Sequence, residues 1–231
     1  MEYDGILFDF GNTLIPWDDA ETHALFAAIQ PAFEGALGPV DDFCARAIAA
    51  RDAILTAREN SDLRECTVEE FVQAMCNGQS SPDLVDSVGQ AFHEAFLGIC
   101  RIPEGLRGLL DDLGRHRPLA VLSNFVLTDP VVEALERGGV ADAFVHIEVS
   151  ATSGFMKPHP EPFEIAVDAM GIARERTLMV GDNFFADVVG GYRAGLLTAL
   201  THQYRQGPTS DPRAPEVRAD RILTNLDELL A

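Results

Sequence analysis

Three short apolar runs that stop at a polar side chain restrict the fold of this chain more than any other feature. ILF runs into Asp9 and the turn formers Gly11 and Asn12, AVL into Ser123 and Asn124, and LMVG into Asp182. Each reads as a strand whose end carries a functional group. From Pro103 onward the pattern alternates. A helix near 104–115 precedes the strand PLAVLSN, and a helix near 129–138 precedes a strand around 144–149. A helix after Pro162, the strand TLMVGD, a helix ending near Gly195, the strand LLTAL and a short βα unit, DRILTNLDELL, complete the series. Such alternation implies parallel strands. The segment HQYRQGPTSDPRAPEVR, rich in proline, arginine and polar residues, reads as a surface loop.

Between residues 20 and 98 the pattern is helical throughout. Thr67 and Glu70 form a capping box ahead of Val68, Phe71, Val72 and Met75, and Gly78 is expected to stop that helix. Ser81 and Pro82 read as the cap and first position of the next, with Val85, Val88, Phe92 and Phe96 on its apolar face. This region is an all-helical insertion.

With 231 residues, 47% of them hydrophobic, the chain can bury one substantial core, or a core and a smaller satellite. No stretch approaches the roughly 18 consecutive apolar residues of a membrane span, and MEYDGILFDFGN has no basic segment ahead of a long apolar one, so a cytoplasmic location is expected. Cys44, Cys66, Cys76 and Cys100 have no CxxC spacing and read as ordinary thiols. A formal charge of -20 repels phosphate backbones and anionic lipid surfaces, which argues against nucleic acid or a membrane as partner. Of 17 cationic side chains only Lys157, in GFMKPHPEPF, is a lysine.

In open parallel sheets ligands bind at the carboxyl ends of strands, near a switch in strand order. Asp9, Ser123 and Asp182 therefore share one expected site, although any of them alone would read as a cap or turn residue. Together with the lysine of GFMKPHPEPF and the stretch VGDNFFADVVGGYRAG, the motifs FDFGNTL and VLSN make the sequence resemble the haloacid dehalogenase-like superfamily, in the family's order and over nearly the whole chain. The resemblance implies an α/β fold: a Rossmann-like parallel sheet core, residues 1–16 and 101–231, with an inserted all-helical cap domain at 17–100 that closes over the substrate. It implies Asp9 as nucleophile, Ser123 as the phosphate-binding hydroxyl, Lys157 as charge stabiliser, and Mg²⁺ held by Asp9, Asp182 and the Gly11 carbonyl. Asp187 would orient the metal or its waters. Asn124 and Asn183 are candidates for contacts with phosphate or Asp9 and, equally, for turn roles. Gly190, Gly191 and Gly195 read as close packing and a helix terminus.

The first motif departs from the superfamily's phosphatases, which carry DxDGT. Here Gly11 stands in place of the second carboxylate, the general acid/base, a group that contributes about 10² to 10⁴ in rate. Asp18, Asp19 and His23, just downstream, are candidate replacements, each with a plainer reading as a helix start or surface residue. Three functions follow as expectations. The first is a Mg²⁺-dependent phosphohydrolase acting on a small phosphorylated metabolite through an aspartyl-phosphate. The second is a 2-haloacid dehalogenase, whose relatives also lack the second carboxylate but have little use for Asp182 and Asp187. The third is a non-catalytic binding protein on the same fold. Arg46, Arg51, Arg58 and Arg64 could reach an anionic substrate from the cap, or simply coat a helix. A monomer or a homodimer is expected.

Overall fold

The computed structural model describes residues 2–38 and 41–230. Six strands, β1 (Gly5–Phe8), β2 (Leu119–Ser123), β3 (His146–Val149), β4 (Thr177–Gly181), β5 (Leu197–Thr201) and β6 (Arg221–Leu223), form one sheet in the order β3-β2-β1-β4-β5-β6. Every neighbouring pair is parallel. The chain lays down β1, β2 and β3 outward to one side and then returns to place β4 on the other side of β1. That reversal is the switch point at which a crevice opens between strand ends.

All residues of β1, β2 and β4 are buried, and alternate side chains leave on opposite faces. Ile6, Phe8, Val121, Leu178 and Val180 join the larger cluster. Leu7, Ala120, Leu122 and Met179 join Phe163 and Val167 of the helix Pro160–Met170 on the other face.

Among the described residues, between β1 and the helix Leu106–Gly114 that leads into β2, lies an insertion of four helices, α1 (Asp19–Leu37), α2 (Phe43–Glu59), α3 (Val68–Met75) and α4 (Pro82–Ile99). Their starts follow local chemistry. Asp18 and Glu21 form a capping box on α1, Thr67 and Glu70 one on α3, and the Ser81 side chain accepts from Leu84 N ahead of α4. Inside, Phe71 packs against Phe26, Phe33 and Phe92 at ring separations of 5.7, 6.1 and 5.5 Å. The loop between α2 and α3 is stitched to the sheet side of the molecule. Glu65 N donates to Gly154 O at 2.9 Å and Met156 N to Leu63 O at 2.8 Å, with Arg64 and Phe155 bridging antiparallel.

Two expectations need correction. Gly78 does not itself end α3, which stops at Met75 and leaves Gly78 in the following turn at φ +84°. The single helix expected up to Gly195 is instead a π-helical turn, Phe184–Val189, followed by a short helix, Gly190–Arg193. The wider turn brings the Asp187 carboxylate back to accept from Asn183 N at 2.9 Å. No regular element occurs between Thr201 and Arg221, as the composition there predicts. Among the described residues no helix is long and apolar enough to cross a membrane.

Phe71→Ala empties the aromatic hub of the insertion. It is expected to lower the unfolding free energy by about 3–5 kcal/mol, read from denaturant titration. A loss below about 1 kcal/mol would show that this hub does not hold the four helices together.

Candidate active site

Asp9 follows β1, Ser123 ends β2 and Asp182 follows β4, so three adjacent strands deliver three polar groups to one edge of the sheet. Asp9 N donates to Val180 O at 2.9 Å, which ties the residue to the end of β4. Its carboxylate is held from two sides: Lys157 Nζ lies 2.6 Å from Oδ1, and Thr13 Oγ1 donates to Oδ2 at 3.1 Å.

Lys157 is 2% exposed and is fixed at both ends. Its ammonium donates to Leu122 O at 2.8 Å and sits 2.7 Å from Asp187 Oδ1. Its main chain is gripped by Asn124, whose Oδ1 accepts Lys157 N at 2.8 Å and whose Nδ2 donates to Lys157 O at 3.1 Å. Burial alone would pull the lysine pKa down, and Asp187 and Asp9 more than reverse this, so the group is held above its ordinary value.

Burial, reinforced by Asp9 and Asp187, pushes Asp182 up to about 7, against the opposing pull of Arg205 and Lys157. Asp187 is pushed up to about 6, again chiefly by burial, with Lys157 opposing and Asp9 reinforcing. Arg205 Nη2 lies 2.6 Å from Asp182 Oδ2. That oxygen and Asp187 Oδ1 are both buried, and each faces a cation rather than a neutral donor. Oxygens of Asp9, Asp182 and Asp187 lie within 4.8 Å of one another. An all-carboxylate donor set only partly balanced by neighbouring cations fits a hard divalent cation.

A backbone detail makes this possible. A Cβ at Gly181 would lie 2.2 Å from Asp187 Cγ, so only glycine at the end of β4 leaves room for that carboxylate. Asn183 Oδ1 then accepts from Phe185 N and Ala186 N, each at 3.0 Å, and starts the π turn that carries Asp187.

Asp9, Gly11, Ser123, Asn124, Lys157, Asp182, Asn183 and Asp187 all line one cavity of about 210 Å³. Asp18, Asp19 and His23 line neither it nor its neighbour: Asp18 caps α1, and His23 Nδ1 lies 2.7 Å from Asp19 O. Of the four arginines, Arg51 alone borders the adjoining space. Sequence reasoning missed Thr13 and Arg205. Thr13 follows Asp9 by four residues in a buried turn, a signal that was present. Arg205 comes from the long loop after β5, where no periodicity points to any target.

Over 123 residues the chain is 32% identical to the pyrimidine 5'-nucleotidase YjjG of Escherichia coli strain K12, covering 52% of this chain and 54% of that protein. It is 32% identical over 159 residues to the phosphoserine phosphatase of Thermus thermophilus, covering 69% and 61%. The chain thus spans a little over half the length of these curated relatives. The magnesium-bound structure of the HAD-hydrolase YfnB from Bacillus subtilis superposes with a TM-score of 0.71 at 23% identity, covering 99% of this chain and 97% of that one, and shares the fold. The family model for haloacid dehalogenase-like hydrolases matches residues 3–195, and the chain belongs to that family.

Proposed function

We propose that this hydrolase is a Mg²⁺-dependent phosphohydrolase acting on a small phosphorylated metabolite, with Asp9 as the nucleophile. One observation carries the reading: a carboxylate held 2.6 Å from a buried ammonium, beside two further buried carboxylates, on the floor of a cavity bordered by Ser123. Relatives named as phosphatases support it.

In this reading residues 1–16 and 101–231 form the catalytic core and 17–100 the cap. Asp9, Asp182, Asp187 and the Gly11 carbonyl would hold Mg²⁺, which when bound would offset phosphoryl charge and align the group. Asp9 attacks phosphorus, the bond to the leaving oxygen breaks, and an aspartyl-phosphate forms. Ser123 donates to a phosphoryl oxygen and Lys157 offsets charge beside the nucleophile. Asn124 positions Lys157 through its main chain, and Asn183 positions Asp187. Water then adds to phosphorus, the P–Oδ bond breaks, and phosphate leaves with the protons of that water. A 2-haloacid dehalogenase would leave the three-carboxylate cluster unemployed, and a non-catalytic protein would leave the compensated lysine without a purpose.

Asp9→Asn is expected to keep the fold and lower phosphate release by roughly 10³-fold or more, measured on a panel of small phosphate esters with Mg²⁺ and with EDTA. Turnover like that of the wild type would remove Asp9 from the mechanism, and metal-independent chloride release from 2-chloropropionate would install the dehalogenase instead. Lys157→Gln leaves buried carboxylates uncompensated. In EDTA it is expected to lose about 3–5 kcal/mol of unfolding free energy, and Mg²⁺ should restore more stability to the variant than it adds to the wild type. An equal Mg²⁺ increment in both proteins would sink the claim that the lysine and the metal compensate the same charges.

A further inference from the structure

Taking the phosphohydrolase reading as given, we infer that the substrate is a phosphate ester of an acidic, phenol-like hydroxyl on an aromatic ring. Two independent observations converge on that class.

The first concerns proton transfer. Gly11 occupies the position of the missing acid, and the space is open: a Cβ there would meet nothing closer than Trp17 Cβ at 3.9 Å. Among the described residues, no carboxyl group besides Asp9, Asp182 and Asp187 lines the Asp9 cavity. In the adjoining cavity Glu65 accepts from both the Ser150 hydroxyl and Cys66 N, and Glu59 is paired with Arg213 at 2.7 Å. No carboxyl group stands at the Gly11 position to protonate the leaving oxygen, so that oxygen departs with its electron pair as the P–O bond breaks and takes a proton from solvent afterwards. A phenol titrates near 10, whereas an aliphatic alcohol lies close to water at about 15.7. Only the former leaves readily without help.

The second concerns shape and polarity. The Asp9 cavity shares Trp17, Asn124, Phe125, Lys157, Asn183 and Ala186 with a second cavity of about 340 Å³ between the helices and the sheet. Phe26, Phe71 and Phe92 form its far wall, and Trp17 and Phe125 flank the passage, each stacked or tilted on Phe96 at 5.1 and 4.6 Å. An apolar cavity of about 150 Å³ already takes up benzene, so one or two rings fit here. Among the described residues the cations lining it are Lys157 and Arg51, and the half-exposed Arg51 lies over the Phe26 ring at 5.8 Å and 2.8 Å from Asp52. A departing phenolate spreads its charge over the ring, which suits an apolar wall better than a localised alkoxide does.

The test is phosphate release by the wild type with Mg²⁺ from substituted phenyl phosphates, acetyl phosphate and glycerol 3-phosphate, with Asp9→Asn as blank. Acetyl phosphate has an acidic leaving group and no ring, so it separates the two arguments. The expected order in kcat/KM is aryl above acetyl above alkyl. Rates should rise with phenol acidity, and the aryl substrates should lead glycerol 3-phosphate by about 10² to 10⁴. Trp17→Ala should lower the ratio of aryl to acetyl rates roughly tenfold, equivalent to about 1.4 kcal/mol of lost ring binding. Gly11→Asp should narrow the gap between aryl and alkyl esters. Glycerol 3-phosphate at or above the aryl esters, or an unchanged ratio in Trp17→Ala, overturns the assignment while leaving Asp9 chemistry intact. No release above the Asp9→Asn blank from any substrate overturns the phosphohydrolase reading itself.

Discussion

Four ionisable groups packed into the edge of a sheet would ordinarily be untenable, because each buried ion forfeits several kcal/mol of hydration. Lys157 makes the arrangement possible. Its ammonium reaches Asp9, Asp187 and the carbonyl of Leu122 at 2.6 to 2.8 Å, and with Arg205 it supplies the positive charge facing three carboxylates. The balance remains short of cation, which is why burial still pushes Asp182 and Asp187 above the usual carboxylate range. The same shortage leaves the cluster suited to a divalent ion. Electrostatic compensation and the fit to a divalent ion are thus two consequences of one arrangement.

The lysine can serve this way only because its backbone is immobile. Asn124 holds both main-chain polar groups of Lys157, and the segment just before it, 154–156, is bonded to the loop between α2 and α3. Ser150 extends that link: its hydroxyl donates to Glu65 and accepts from Phe125 N, so the loop after β2 is held as well. Burial raises the Glu65 pKa, an effect the bonds from Ser150 and Cys66 N only partly offset. The helical insertion is therefore anchored to the strand ends at the point where Lys157 emerges, and the roof of the cavity shares its fixings with the floor.

Much of this was legible before any coordinates. A strand that is buried on both faces and ends in a polar residue leaves a strong trace, and Asp9, Ser123 and Asp182 were found on that trace alone. Lys157 stood out because the chain otherwise uses arginine. Contacts between distant segments left none. The pairing of 63–65 with 154–156 joins positions about ninety residues apart, and Leu63 adopts a positive φ that no local rule assigns to leucine. In FFADVV the apolar pattern does not separate a π turn from an α-helix, since both bury the two phenylalanines and the two valines. What sets the turn is Gly181, whose missing side chain is the space filled by Asp187, and a lone glycine in the sequence does not announce that.

Gly11 shows how the two halves of the molecule constrain one another. A carboxylic acid at that position would stand at the passage between the cavities, next to Trp17. It would have to be desolvated against aromatic side chains and would add a further negative charge beside a cluster that already carries too many. Glycine avoids both costs, at the expense of proton transfer to the leaving oxygen. In the proposed reaction the apolar roof lowers the local dielectric, which would strengthen the pull of Lys157 on charge developing at phosphorus. It equally penalises a localised anion on the departing side. Those demands are met together when the leaving group carries its own stabilisation in a ring, so that the chemistry lost at Gly11 and the shape gained from Phe26, Phe71 and Phe92 select the same kind of ester.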